Sequence, residues 1–486
     1  MNETTKESPV ETADELVRLK AENEALKGRI VQLERKLSLQ PQTGLPTHFR
    51  LELELEEMIE ALHRRADRAG FSLLIIQLGE TYTVVRKTLK SSVSEWVLYQ
   101  MGCRINALLS PSGRVFHTRE NEFVLILPAL KGPPLAAFVK SLFGSLGEPH
   151  IFSGFNVTIK VAMGAAYWPQ HGTERSTLLH NADIAAGFAS EGHLPFVLFK
   201  PELLRKAVEK IELQNSIIRA IEKPALDSIG DQFVLYYQPK LIASSVEGRV
   251  ISVEKIEAEA LIRWRHPTKG LINPSTFVPL AEETGLILPL GKWLIYQTAR
   301  QLQSWIRAGK GAIPVSINLS ARQFRSDDIT DILASALASS NLAPGQLTVE
   351  LTETSLFEDP AATAVILERF TALGVRLSVD DFGTGYSSLS HLHRFPLDEI
   401  KIDRLFIENI ATNRQDRIIV RSLVEIAKGL ELSLVAEGVE SPRALDILWK
   451  MGCRGFQGFL IAQPLTDQDF IAFCDKLVAE GMRFSF

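Results

Sequence analysis

Eight short apolar runs recur after residue 230, most of them separated by helical patterns: FVLYYQPK, AEALIRW, PVSINLS, LTVELTE, VRLSVDDF, DEIKIDR, LSLVAEGV and GFQGFLIA. Segments such as LGKWLIYQTARQLQSWIRAG and RIIVRSLVEIAKGL lie between them. Strands apolar on nearly every residue belong inside a ring of helices. Eight such units over about 250 residues match the arithmetic of a closed (β/α)8 barrel. A doubly wound open sheet is the competing arrangement, and eight strands disfavour it.

Polar residues interrupt these runs near their C-terminal ends: Glu259, Asn318, Glu350, Asp380 with Asp381, Lys401, Glu437 and Gln457. One carboxylate at a strand end is ordinary surface. In a barrel these ends converge on one face, where barrel enzymes keep their active sites. Carboxylates crowded there repel one another unless cations neutralise them. Oxygen donors without Cys or His favour Mg2+ or Mn2+ over zinc. A set this large suggests two divalent cations, and two such ions about 3.5–4 Å apart clamp a phosphoryl centre for in-line attack by water. Asp380 and Asp381 suit the pair, one bridging and one on a single ion. Strand neighbours point to opposite faces, so the following Gly-Thr-Gly is expected to turn the backbone there.

Arg263 reads as a phosphate clamp or as the ion-pair partner of a barrel carboxylate. Lys401 positions the attacking water, or neutralises Asp403 or a ligand carboxylate. Glu353 lies just past a strand end, where it is placed to hold the DDFGTGYSS loop through a backbone or hydroxyl contact. His266, His391 and His393 lack ligand spacing with the carboxylates and read as structural or exposed.

Ahead of the barrel the chain has three further parts. Residues 1–12 read as a disordered lead. A heptad then runs through 13–38, with Leu16, Asn23, Ile30 and Leu37 at a and Leu19, Leu26 and Leu33 at d. It predicts a parallel two-stranded coiled coil, with Asn23 fixing register; a helix packed on its own chain is the alternative. Residues 39–200 alternate strands (71–78, 114–130, 156–168) with helices (51–68, 94–109) and form an α/β domain. The charged helical stretch 201–223 links it to the barrel at 224–486 and is placed to carry dimer contacts.

With Lys+Arg 53 against Asp+Glu 58, the net charge is −5. That excludes a general polyanion binder, so no DNA or RNA partner is expected. Cys103, Cys453 and Cys474 are scattered and form no Cys-x-x-Cys pair, which fits a reducing cytoplasm. No run approaches the roughly 18 apolar residues of a membrane span, and the polar, acidic start is no signal peptide.

EALIRWRHP, VSINLSARQF, VELTET, DDFGTGYSSLSHL, IKID, VAEGVE and QGFLIAQP, in this order, resemble the EAL-domain family. The resemblance covers about 210–480. It implies a barrel phosphodiesterase, with its first strand antiparallel, that opens cyclic di-GMP to linear pGpG. It implies Glu259, Asn318, Glu350 and Asp380 around one metal, and Asp380, Asp381 and Glu437 around the other. It further implies that Lys401 and Gln457 hold the catalytic water, Glu353 shapes the aspartate loop, Arg263 contacts substrate phosphate, and Glu440 stands beside the site. No ligand of the set is missing. The alternative is a non-catalytic receptor or scaffold that binds cyclic di-GMP and signals to a protein partner at the N-terminus.

The first half resembles a GGDEF domain in decayed form. QPQTGLPTH (40–48) departs from that family's opening at Gln40 and His48. Gln77 stands near the place of a metal-binding aspartate. In RENEF (119–123), Arg119 and Glu120 replace two glycines and Asn121 replaces an acid. Side chains obstruct a backbone that must approach GTP, and the lost acids remove metal ligands. Ser110 and Gly113 fall where the family's inhibitory Arg-x-x-Asp would lie. No cyclase activity is expected. The decayed domain and the coiled coil are expected to act in homodimerisation or regulation.

Overall fold

The computed structural model describes residues 38–64, 70–128, 131–152, 155–221, 231–357, 359–383 and 393–486, with the single positions 23 and 229. The predicted coiled coil (apart from Asn23 and Ser38) and His391 lie outside the described residues. The chain divides into two compact units between Lys210 and Ile211, within one continuous helix, Pro201–Ile221.

The first unit is built on strands β1 (Phe71–Leu78), β2 (Arg114–Arg119), β3 (Glu122–Pro128), β4 (His150–Phe152), β5 (Phe155–Val157), β6 (Val161–Trp168) and β7 (Phe196–Leu198). Its main sheet has the order β2-β3-β1-β6-β7, and only the β6–β7 pair is parallel. Side chains alternate across a strand. Leu74, Ile76 and Leu78 therefore join one core with Val97, Met101 and Leu142. Phe71, Leu73 and Ile75 join another on the opposite face, with Leu51, Leu55 and Leu178. Both faces are covered, which is why β1 reads as continuously apolar. The expected single strand over 156–168 is instead two. Phe155–Val157 pairs with β4, and the chain re-enters the main sheet only at Val161. The helix expected over 51–68 begins earlier, at His48, and is described to Arg64.

The second unit contains β8 (Phe233–Glu247), β9 (Val250–His266), β10 (Gly270–Ile272), β11 (Val315–Asn318), β12 (Leu347–Thr352), β13 (Arg376–Phe382), β14 (Glu399–Ile402), β15 (Ser433–Ala436), β16 (Gly455–Gln457) and β17 (Arg483–Ser485). The ring runs β8-β9-β11-β12-β13-β14-β15-β16 and closes on β8, so all eight apolar runs lie in one barrel. β8 is antiparallel to both of its ring neighbours, β9 and β16, and the pairs from β9 to β16 are parallel. Helices such as Ile287–Arg307 and Arg414–Gly429 surround it. In β12, Leu347, Val349 and Leu351 enter the apolar core. Thr348 and Glu350 occupy the alternate positions, and Glu350 meets residues of non-neighbouring strands inside the ring. β8 and β9 run 15 and 17 residues because they pair as a hairpin beyond the barrel wall. Glu259 is therefore mid-strand, not near the C-terminal end as its motif suggested. No helix among the described residues is long and apolar enough to cross a membrane.

Candidate active site

Lys401 is the hub of the barrel interior. Its side chain is 1% exposed, and its Nζ lies 2.6 Å from Glu350 Oε2, 3.3 Å from Glu259 Oε2 and 3.4 Å from Asp380 Oδ1. It also pairs with Glu437. β14 thus reaches carboxylates from β9, β12, β13 and the end of β15. Asp403 accepts from Leu405 N at a helix start and also stands beside Asp381, whose carboxyl it helps, after burial and Asp380, to keep protonated. Glu259 is held by further donors: Asn318 Nδ2 at 2.6 Å and Gln457 Nε2 at 2.6 Å.

The Asp380–Asp381 pair breaks strand geometry. Asp381 has φ +54°, and the β13–β14 register shifts between Val379 and Phe382. The turn expected at Gly-Thr-Gly thus begins two residues earlier, at a non-glycine in the left-handed region, a strained conformation common at functional sites. Asp381 N donates to Asp380 Oδ1 at 3.0 Å. The distortion lets adjacent carboxylates face the same way. Asp380, Asp381 and Glu437 each offer an oxygen within 4.8 Å of the others.

The charges are unbalanced. Burial, and then the charge of Glu259, pushes Glu350 up to about 8. Burial and Asp380 push Asp381 up to about 7. Burial raises Glu437 well above the carboxylate range. Burial also opposes ionisation of Glu259, but Lys401, Gln457 and Asn318 hold it below its ordinary value. Lys401 is raised well above its own value: burial works against this, and the carboxylates, Asp380 first, outweigh it. One ammonium does not neutralise five carboxylates. Glu350 Oε1 and Gln457 Oε1 are buried with no hydrogen-bond partner among the described residues. Oxygen donors, excess negative charge and an orphaned carboxylate oxygen fit hard divalent cations.

Glu353 is buried at the start of a short helix after β12, and its Oε2 accepts from Gly383 N at 2.9 Å. Arg263 is not in the central cluster. It lies four residues along β9 from Glu259, donates to Ile262 O at 2.9 Å and has its guanidinium 5.8 Å from the Tyr236 ring centre. It forms no ion pair with a carboxylate among the described residues. Glu440 also stands apart, exposed and paired with Arg404 at 3.0 Å. His266 is partly buried and His393 exposed, and neither joins the carboxylates.

Gln238, which no sequence motif marks, also belongs to the site. It is paired in register with Glu259 on the antiparallel β8, accepts from Gln457 Nε2 at 3.2 Å and donates to Ala462 O at 3.2 Å. An amide interrupting the apolar run FVLYYQPK was its only signal. Gly458 (φ +157°) is forced by close approach: a Cβ there would lie 2.3 Å from Val439 N and O. The loops bearing Gln457 and Glu437 are thereby held together.

In the first unit, the signature turn Glu120–Asn121 joins β2 to β3. Arg119 pairs with Glu122 at 3.3 Å and Asp183 at 3.8 Å, and Glu120 pairs with Arg86. Gln77 Nε2 donates to Asp183 Oδ1 at 3.2 Å. Arg119 and Gln77 thus meet at Asp183, while Glu120 is held by Arg86.

The family model "EAL domain" matches residues 222–464, half of the chain. The model "Diguanylate cyclase, GGDEF domain" matches residues 39–191. The bifunctional diguanylate cyclase/cyclic di-GMP phosphodiesterase MucR of Pseudomonas aeruginosa is 35% identical over 88% of this chain and 60% of its own length. The cyclic di-GMP phosphodiesterase PdeR of Escherichia coli is 32% identical over 87% of this chain and 61% of its own. The chain thus spans about 60% of the length of these relatives. The solved S helix-GGDEF-EAL structure of Vibrio cholerae LapD matches 90% of this chain and 99% of its own, with a TM-score of 0.56 and 17% identity, a likeness of fold. With the closed barrel, the carboxylate cluster and the family match in agreement, the chain belongs to the EAL-domain family and carries a GGDEF domain ahead of its barrel.

Proposed function

We propose that this chain hydrolyses cyclic di-GMP to linear pGpG with the help of two divalent cations, Mg2+ or Mn2+. The observation that carries the reading is the convergence of Glu259, Asn318, Glu350, Asp380, Lys401, Glu437 and Gln457 from seven positions of one barrel. The printed activities of MucR and PdeR support it. Glu259, Asn318, Glu350 and Asp380 would hold one ion, and Asp380, Asp381 and Glu437 the other. When bound, such ions polarise the phosphate oxygens and lower the pKa of water. The chain's own groups do the rest. Lys401 and Gln457 orient the attacking water. Arg263 binds the substrate phosphate, and Glu440 lines the rim. Attack forms one P–O bond and breaks the P–O3′ bond, and the departing 3′ oxygen takes up a proton.

The GGDEF domain, in this reading, makes no cyclic di-GMP. It and the residues before it set the arrangement of a homodimer, which in turn governs the Asp380–Asp381 segment. The test is product analysis with the full chain in Mg2+ and in Mn2+. Linear pGpG from the wild type and none from Glu259→Ala is the expected result. Binding without turnover in both metals refutes hydrolysis and favours the receptor.

A further inference from the structure

One residue pair deeper than the carboxylate cluster, the barrel interior holds a second set of charges. Lys240 on β8, Glu257 on β9 and Glu399 on β14 are 1%, 3% and 1% exposed. Lys240 Nζ lies 2.8 and 3.2 Å from the two Glu399 oxygens and 3.1 Å from Glu257 Oε2. Glu257 Oε1 also receives Lys255 Nζ at 2.6 Å and Arg376 Nη1 at 3.1 Å. Ser378 Oγ donates to Glu399 Oε1 at 3.1 Å. The proposed hydrolysis uses none of these groups. Burying such ions is costly even when they are paired, and apolar residues can fill the same volume at less cost.

Their position relates them to the site. Glu257 precedes Glu259 by two residues and Glu399 precedes Lys401 by two, so each pair shares the interior face of its strand. On β8, Lys240 is in register with Glu257, as Gln238 is with Glu259. β8 and β14 are not neighbours in the ring, and neither are β9 and β13. Lys240–Glu399 and Arg376–Glu257 are therefore struts across the barrel. They lie beneath Lys401–Glu259, which crosses from β14 to β9.

We propose that Lys240 is a positioning residue for the carboxylate site: clamped between Glu257 and Glu399, it sets the spacing of β8, β9 and β14 and hence the separation of Glu259 from Lys401. The inference rests on the hydrolytic reading only for its activity readout. Lys240→Met alone would leave Glu399 buried without its ammonium partner, while Glu257 would keep Lys255 and Arg376. The decisive variant is the full chain carrying K240M, E257Q and E399Q together, which keeps side-chain shape and removes the charges. It is expected to unfold cooperatively near the wild-type Tm. Its Mn2+ affinity, titrated without substrate, should weaken at least fivefold. Its kcat on cyclic di-GMP should fall at least tenfold, with KM changed less than threefold.

Wild-type Mn2+ affinity and kcat in the folded triple variant would overturn the proposal. If the triple variant does not fold, Lys240→Arg decides, since it keeps the charge but alters the strut. Weakened Mn2+ affinity then supports positioning, and wild-type affinity overturns it. If the wild type binds Mn2+ but opens no cyclic di-GMP, the hydrolytic reading fails while the Mn2+ titration still tests Lys240.

Discussion

The Glu353 carboxylate accepts a hydrogen bond from the backbone N–H of Gly383 at 2.9 Å. One residue comes from the end of β12 and the other from the end of β13. The bond pins the backbone two residues after Asp381, where φ is +54°. A strained segment persists only if its surroundings over-determine it. Glu353→Ala is therefore expected to lower kcat and Mn2+ affinity by about 10–100-fold, the usual range for groups that orient metal ligands. A Tm close to that of the wild type would separate this effect from unfolding. Steady-state kinetics and a Mn2+ titration on one preparation check it.

Removing divalent ions should destabilise the barrel, and more so at higher pH. In the metal-free fold, Glu350 titrates at about 8 and Asp381 at about 7, above their ordinary 4.5 and 3.8. A carboxylate raised on folding favours the fold below its unfolded value and loses that contribution as pH rises through the folded one. Bound cations reverse the sign, because ligands must be deprotonated to bind them. The Tm difference between Mg2+ and EDTA samples should widen from pH 6 to pH 8.5. A constant difference would argue against a carboxylate metal site.

Glu257 has the opposite sign. Burial opposes its ionisation, but Lys240, Lys255 and Arg376 outweigh that and hold it down at about 2, against an ordinary 4.5. Its contribution is full above pH 4.5 and fades as pH falls toward 2. At neutral pH it amounts to about 3 kcal/mol. Urea unfolding of Glu257→Gln should show a loss of about that size at pH 7 that shrinks below pH 4.5. A loss independent of pH would mean that shape, rather than charge, is what the substitution disturbs.

The GGDEF domain should turn over no GTP. Arg119 and Glu120 place ion-paired side chains where two glycines would let a nucleotide approach. Incubating the full chain with GTP and Mg2+ should yield no cyclic di-GMP by chromatography. Product formation would overturn that view of the domain.

Much of the barrel was legible because its strands are covered on both faces, leaving eight compact apolar runs. The polar exceptions marked the site for the same reason: an inward carboxylate such as Glu350 stands out between Val349 and Leu351. Other features left weaker marks. The extension of β8 and β9 depends on their pairing with each other, so Glu259 looked strand-terminal when it is central. Gln238 faces the site only because β8 runs antiparallel, which periodicity does not reveal. The lower ion layer was also hidden. Lys240 and Glu257 meet across the β8–β9 hairpin, but Glu399 is 159 residues further along than Lys240, and only closure of the ring brings it to them. The turn at Asp381 lies two residues before the expected place because glycine is the ordinary signal for positive φ.

The most direct test of the account is hydrolysis of cyclic di-GMP by the full chain through one cycle of Mg2+, EDTA and restored Mg2+. The account predicts that linear pGpG accumulates, stops on chelation and resumes on restoration, and that Asp380→Ala produces none at any stage. Tight binding of cyclic di-GMP with no pGpG in any phase would contradict it and make the barrel a receptor.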